Sequence, residues 1–358
     1  MSVTDNLLAV RAGPGALQHL QQNGLQPEDI RIMVGASGGA KWLSLVGLDH
    51  AIIRSVLPRL QPGVHLLGSS IGTWRFACYT QPDPLAALTR FERGYIEQTY
   101  SAKPDTNEIT KVGRQMVSAM LGEGGIANAV NSERFHLHIM TAQAHGLTAS
   151  ERTVPLLLGL TAAMVANRVN RRHLRRFFTR ALVSDPRADG PFHLASDFPM
   201  QRLDLAENNL VDSILASSAI PLVLNGVKNL AGGNPGVYRD GGIIDYHFDL
   251  PVSPETGLTL YPHFYPELTP GWFDKGLHRR PKAAHVDRVL LIAPSAEFVA
   301  GLPGGKIPDR GDFKSMDAPT RISVWRRVVA ETQRLGEAFE SLLERQAFAS
   351  VAEPLETS

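Results

Sequence analysis

The residues of this chain best suited to covalent chemistry are serines set between glycines. The pattern Gly-x-Ser-x-Gly occurs twice, as Gly35-Ala36-Ser37-Gly38-Gly39 and as Gly68-Ser69-Ser70-Ile71-Gly72. Such a pattern holds its middle serine on a sharp strand-to-helix turn, where small residues two places either side relieve the crowding of strand against helix. A serine so exposed attacks acyl esters once a neighbouring base takes its proton. Either copy alone is also ordinary turn material. Asp240-Gly241-Gly242 offers a carboxylate base in a turn, and His247, His263 and His285 follow it, permitting a Ser…Asp…His order without a recognisable context around any of them. His136 and His138 alternate along one expected strand and share a face, but no third ligand accompanies them. They are read as solvent-facing or satisfied strand histidines, with no metal site. The single cysteine, Cys78, excludes an intrachain disulfide framework and Cys-rich zinc or iron–sulfur sites, and is compatible with a reducing cytoplasm.

These residues lie on a repeated arrangement of short apolar runs, glycine turns and helical patterns. Strands are expected over 7–10, 30–34 and 64–67, the last two ending in the two serine turns, with helices over 15–24, from about 40 and from about 74. Strand, glycine turn and helix in repetition predict βαβ units on a largely parallel sheet flanked by helices, with ligands at the carboxyl ends of the strands. Later strands are expected at 135–142, 192–195, 258–261 and 289–292, a helix over 208–218, a loop over 301–317 and a long helix over 318–348, with a frayed end. The domain reading is one α/β domain over 1–300 and a loop with a C-terminal helical extension packed on it over 301–358. Lys and Arg number 36 against 35 Asp and Glu, a balance that argues against a nucleic-acid partner. No secretory signal is read at the N-terminus. The longest mostly apolar stretch, 154–166, is interrupted by Pro155 and Gly159 and falls short of the roughly 20 residues of a membrane span.

Context separates the two serines. Ser37-Gly38-Gly39-Ala40-Lys41-Trp42, followed at a distance by Gly47-Leu48, resembles the G-G-G-x-[RK]-G oxyanion loop of the patatin-like phospholipases, with Ser for the first Gly and Trp for the last. Gly68-Ser69-Ser70-Ile71-Gly72 then stands where that family has its nucleophile elbow. Ala216-Ser217-Ser218-Ala219-Ile220-Pro221 is similar to the segment preceding the second catalytic motif, Asp-Gly-[GA], which appears as Asp240-Gly241-Gly242 with Pro251 beyond it. Asp245 or His247 occupies the place where the family usually has Asn. Four motifs in order span about 60% of the chain.

The resemblance implies a patatin-like, three-layer α/β fold and a Ser-Asp dyad. Ser70 would attack, Asp240 would act as base, Gly68 and Gly72 would form the elbow, and the amides of Gly38, Gly39 and Ala40, with Lys41 nearby, would hold the oxyanion. It implies a lipid acyl hydrolase of phospholipase or lysophospholipase type without a cofactor. A frame with Ser37 as nucleophile would make 11–16 the oxyanion loop, but Pro14 there has no N–H to donate. The rival readings are a general carboxylesterase or thioesterase, and a catalytically silent relative that binds lipid or protein. Arg168, Arg171, Arg172, Arg175, Arg176 and Arg180, interleaved with apolar residues, suggest either a solvated basic face or peripheral contact with an anionic membrane, Arg168 to Arg180 forming one amphipathic helix. The expected location is the cytoplasm, either free or peripheral on a membrane.

Overall fold

The apolar runs between glycine turns become strands buried on both faces. In the computed structural model, which describes residues 6–358, these are β1 (Leu8–Ala12), β2 (Ile30–Gly35), β3 (Val64–Ser69), β4 (Phe135–Ala144), β5 (Phe178–Ser184), β6 (Met200–Asp204), β7 (Val227–Lys228), β8 (Val237–Asp240), β9 (Leu258–Pro262), β10 (Val289–Pro294) and β11 (Ala352–Pro354). They form one sheet in the order β11-β1-β10-β9-β2-β3-β4-β5-β6, with β8 added to β4 and β7 to β8. The run β10-β9-β2-β3-β4 is parallel throughout, whereas β1 is antiparallel to β10, and both β5 and β8 are antiparallel to β4. Only one side chain each in β2 and β3, and none in β9 or β10, is less than fully buried. Strands covered on both faces require helices on both sides, and the expected largely parallel α/β architecture is what the chain adopts.

Three local expectations change. Residues 192–195 form part of a 3-10 turn, Pro191–Leu194, opened by Gly190 and Pro191, and the strand lies later, at β6. The C-terminal end is ordered: Phe348–Val351 is a helical turn and β11 pairs in parallel with β1. The arginine run is not one helix. It crosses the end of the helix Thr153–Val169, a 3-10 turn Arg171–Arg176 and the start of β5.

Two contacts fix the helices that carry the glycine turns. The long helix Ala318–Glu344 lies on the helix Val46–Ser55 so closely that a Cβ on Gly47 would stand 1.9 Å from the Thr332 carbonyl oxygen. That explains Gly47. Between the helices Val46–Ser55 and Ile71–Tyr79, Arg75 donates to Asp49 through Nε (2.8 Å) and Nη2 (2.5 Å), and Tyr79 Oη donates to Asp49 at 2.7 Å. All three side chains are fully buried. Removing one member strands a buried charge, which costs about 3–5 kcal/mol. Arg75→Met is therefore expected to lower the urea midpoint by that amount of unfolding free energy, and an unchanged midpoint would show the pair to be dispensable.

Candidate active site

The sheet register delivers Ser70 to Asp240. On one edge of β4, β3 pairs as far as Ser69 opposite Met140, and the next residue of β4, Thr141, pairs with Asp240 of β8. Since β3 runs parallel to β4 and β8 antiparallel, the carboxyl ends of β3 and β8 meet head to head. Ser70 Oγ donates to Asp240 Oδ2 at 2.9 Å across that junction. The chain turns at once after each strand, into the helix Ile71–Tyr79 and into the 3-10 turn Gly241–Ile243.

The turn at Ser70 is sharp and strained. Ser70 has φ 54°, ψ −125°, a left-handed conformation uncommon for a residue with a Cβ. The strain persists because the surroundings over-determine it. A Cβ at Gly72 would lie 2.0 Å from the Gly35 carbonyl oxygen, so β2 and the elbow touch backbone to backbone. The Ser70 N–H donates to Ser217 Oγ at 2.8 Å, and the Ser217 hydroxyl donates to the Met140 carbonyl at 2.6 Å. Ser217 thus braces the Ser70 turn against β4.

The other glycine turn supplies donors. Gly39–Leu45 is a 3-10 helix, Gly38 precedes it and Gly39 has φ 56°. The first N–H groups of such a turn have no intrahelical acceptor, and the positive end of its dipole lies there. The Phe264 ring fills the space beside Gly38. Ser37 is held differently: its Oγ donates to Ser69 Oγ at 2.9 Å and its N–H to the Tyr246 carbonyl at 3.0 Å. The loop 11–16 is remote from Ser37, because β1 runs antiparallel to the strands around β2 and ends at the opposite edge of the sheet. Its amides at Gly15 and Ala16 are already bonded to Asp287.

Ser70, Asp240, Gly38, Gly39 and Lys41 share one cavity of about 80 Å³ with Ser37, Gly242, an apolar wall of Ile220, Pro221 and Ile243, and the rings of Tyr246 and Trp272. Lys275 and Arg310 complete its lining. Neither they nor Lys41 forms an ion pair with another side chain among the described residues. Lys275 Nζ stands 4.1 Å from the centre of the Tyr246 ring, a cation–π contact. Burial, and then the charges of Lys41 and Arg310, push Lys275 down to about 8. Burial also lowers Lys41. For Asp240 burial works the other way, raising it to about 6 against the pull of the Ser70 hydroxyl, the Gly242 N–H at 2.7 Å and the charges of Arg310 and Lys275. An unpaired carboxylate with that value is half ionised just below neutrality, which suits a general base.

The histidines stand elsewhere. No histidine lines this cavity among the described residues. His247 and His263 pack on one another, ring centres 4.2 Å apart, and on Phe264, where burial holds both below the usual imidazole range. His285 bonds Asp249 at 2.7 Å. On the strands, His138 Nε2 meets His65 Nδ1 at 2.9 Å and His136 meets Asp185 at 3.0 Å. No group of three or more His, Cys, Asp or Glu is arranged to hold a metal among the described residues. Asp245 is committed to Arg180, accepting from Nε at 2.7 Å and Nη2 at 2.9 Å.

Sequence reading missed Ser217 as a brace, and Lys275, Arg310 and Trp272 as walls of the cavity. Trp272 and Lys275 are set by Asp274, which accepts from the Gly271 N–H, Asn167, Arg171 and Arg279. The segment presenting Arg310 is held by Asp312, which accepts from Lys306 at 2.5 Å and from the Trp325 indole at 2.9 Å. Ser217 alone had a signal, its place in the third motif.

No family model and no curated protein matches the chain. Solved structures that align with it include VipD from Legionella pneumophila, at 11% identity and a TM-score of 0.31 over 73% of this chain and 54% of that one, and human GIVD cytosolic phospholipase A2, at 11% identity and a TM-score of 0.37 over 94% of this chain and 62% of that one. The chain spans little more than half the length of these structures.

Proposed function

We propose that the chain is a serine acyl-ester hydrolase of the patatin-like type, acting on lipid through a Ser70–Asp240 dyad. The observation that carries this reading is the 2.9 Å hydrogen bond from a strained, turn-held serine to a buried carboxylate in a cavity whose described lining includes no histidine. Ser70 Oγ attacks the ester carbonyl as its proton passes to Asp240 Oδ2. The amides of Gly38, Gly39 and Ala40 receive the developing oxyanion. Collapse expels the alcohol, which takes the proton from Asp240, and leaves an acyl-serine. Asp240 then takes a proton from a water that attacks the acyl carbonyl, and as the acyl–Oγ bond breaks it returns that proton to Ser70 Oγ, releasing the acid. These steps draw on side chains and backbone alone and call for no cofactor. Lys41, Lys275 and Arg310 favour an ester that bears a negative charge near the scissile bond, as the phosphate of a phospholipid or lysophospholipid does. The single cysteine, Cys78, is a buried free thiol, which fits a reducing compartment such as the cytoplasm.

Intact-mass measurement after fluorophosphonate treatment, with peptide mapping, tests the assignment together with substrate competition. The expected result is one adduct, on Ser70, and faster turnover of anionic phospholipid or lysophospholipid micelles than of short soluble esters. A protein that takes no label is a silent relative. A labelled protein preferring short esters or thioesters is a general esterase.

A further inference from the structure

The helix Thr153–Val169 presents an apolar face that no part of the described chain covers. Its inner side, Leu156, Leu160 and Ala163, packs into a small core with Ile243 and Ile244. Its outer side carries Val154 (66% exposed), Leu158 (59%), Val165 (57%) and Val169 (74%), with Leu157 and Met164 beside them. Val154, Leu158, Val165 and Val169, successively four, seven and four apart, run along one stripe of a helix roughly 25 Å long, whose one charged residue is Arg168. An apolar surface of this extent marks a place of contact.

Charge identifies what it contacts. Arg152 precedes the helix, while Arg168, Arg172, Arg175 and Arg176 cluster at its other end, all exposed and without a side-chain partner among the described residues. Arg171 and Arg180 differ, being consumed by Asp197, Asp274 and Asp245. The surface therefore offers apolar side chains flanked by free guanidinium groups, the complement of an anionic lipid headgroup layer above acyl chains. A second copy fits poorly: an antiparallel pairing of the two stripes sets Arg152 of one against the arginine cluster of the other, and a parallel pairing sets cluster against cluster. No helix among the described residues is long and apolar enough to cross a membrane.

The same helix is tied to the catalytic cavity. Asn167 Nδ2 and Arg171 Nε donate to Asp274 at 2.8 and 3.1 Å, and Asp274 closes the turn that places Trp272 and Lys275 in the cavity wall. Ile243 belongs both to the core beneath the helix and to that wall.

We infer that the helix Thr153–Val169 lies flat in the surface of an anionic bilayer, with Arg152 and the Arg168–Arg176 cluster on the phosphates, and so aligns the cavity with lipid esters. This goes beyond the assignment of Ser70, because binding is measured without turnover. The experiment is flotation of the full chain with vesicles of equal parts phosphatidylglycerol and phosphatidylcholine, and with phosphatidylcholine alone. The double variant L158D/V165D, at exposed positions, is expected to bind the mixed vesicles at least about tenfold more weakly, with circular dichroism and unfolding midpoint unchanged. The quadruple variant R168Q/R172Q/R175Q/R176Q is expected to lose the preference for phosphatidylglycerol and its salt dependence. Wild-type protein that stays off both vesicles, or L158D/V165D binding as well as wild type, would overturn the inference. So would size-exclusion showing that L158D/V165D turns a dimer into a monomer while vesicle binding persists, since the helix would then be a contact between copies.

Discussion

Ser70→Ala is expected to lower turnover of any acyl ester by at least about four orders of magnitude and to abolish fluorophosphonate labelling. The substitution removes the attacking oxygen and little else. Alanine accepts φ 54° no worse than serine does, so the strain at the elbow is unchanged. The Ser70 N–H keeps its bond to Ser217. Folding should therefore survive, which a near-native unfolding midpoint would check. Ser37→Ala is the matched control. Its hydroxyl donates to Ser69 Oγ and its N–H is engaged by the Tyr246 carbonyl. The variant loses one neutral hydrogen bond, worth about 1–2 kcal/mol, or roughly tenfold in rate at most. Ser37→Ala inactive with Ser70→Ala active would transfer the nucleophile to Ser37, and full activity in both would end the hydrolase reading.

What could be read from the sequence was what local geometry imposes. Gly35, Gly68 and Gly72 mark places where strand and helix touch, and such contacts lie within a few residues along the chain or between adjacent strands. The order of the motifs around Ser70 and Asp240 was visible for the same reason, and the parallel strands announced themselves as short, wholly apolar runs. Lys275 and Arg310 could not be seen, because a basic residue on a loop has no local signature. Their places follow from Asp274 and Asp312, each fixed by partners more than a hundred residues away or on another element. The arginine run misled for a related reason. One helical period across 168–180 is the expectation, but Asn170 caps a new turn there, and the buried Asp245 and partly buried Asp197 draw Arg180 inward.

Asp240→Asn is expected to cost about 10²–10⁴ in kcat/KM, because the amide cannot take the serine proton. The wild-type pH profile supplies the sign. Asp240 must be ionised to act as base, and with its value near 6 activity is lost as pH falls through 6. Lys275, near 8, loses its charge as pH rises through 8, weakening the hold on an anionic substrate and withdrawing a charge that steadies the ionised Asp240. Lys275→Gln should therefore remove the alkaline limb and move the acid limb upward. The same burial has a cost in stability. A carboxyl raised from about 4 in the unfolded chain to about 6 in the fold destabilises the fold as pH rises from about 4 to 6, and the full cost, roughly 3 kcal/mol, is present above 6. Asn carries no charge and escapes it. At pH 8 the variant should be inactive yet unfold at higher denaturant than wild type, with the difference vanishing near pH 4. A side chain kept only for structure behaves oppositely: an Asp240→Asn protein that is less stable at pH 8 and still turns over would remove Asp240 from the chemistry.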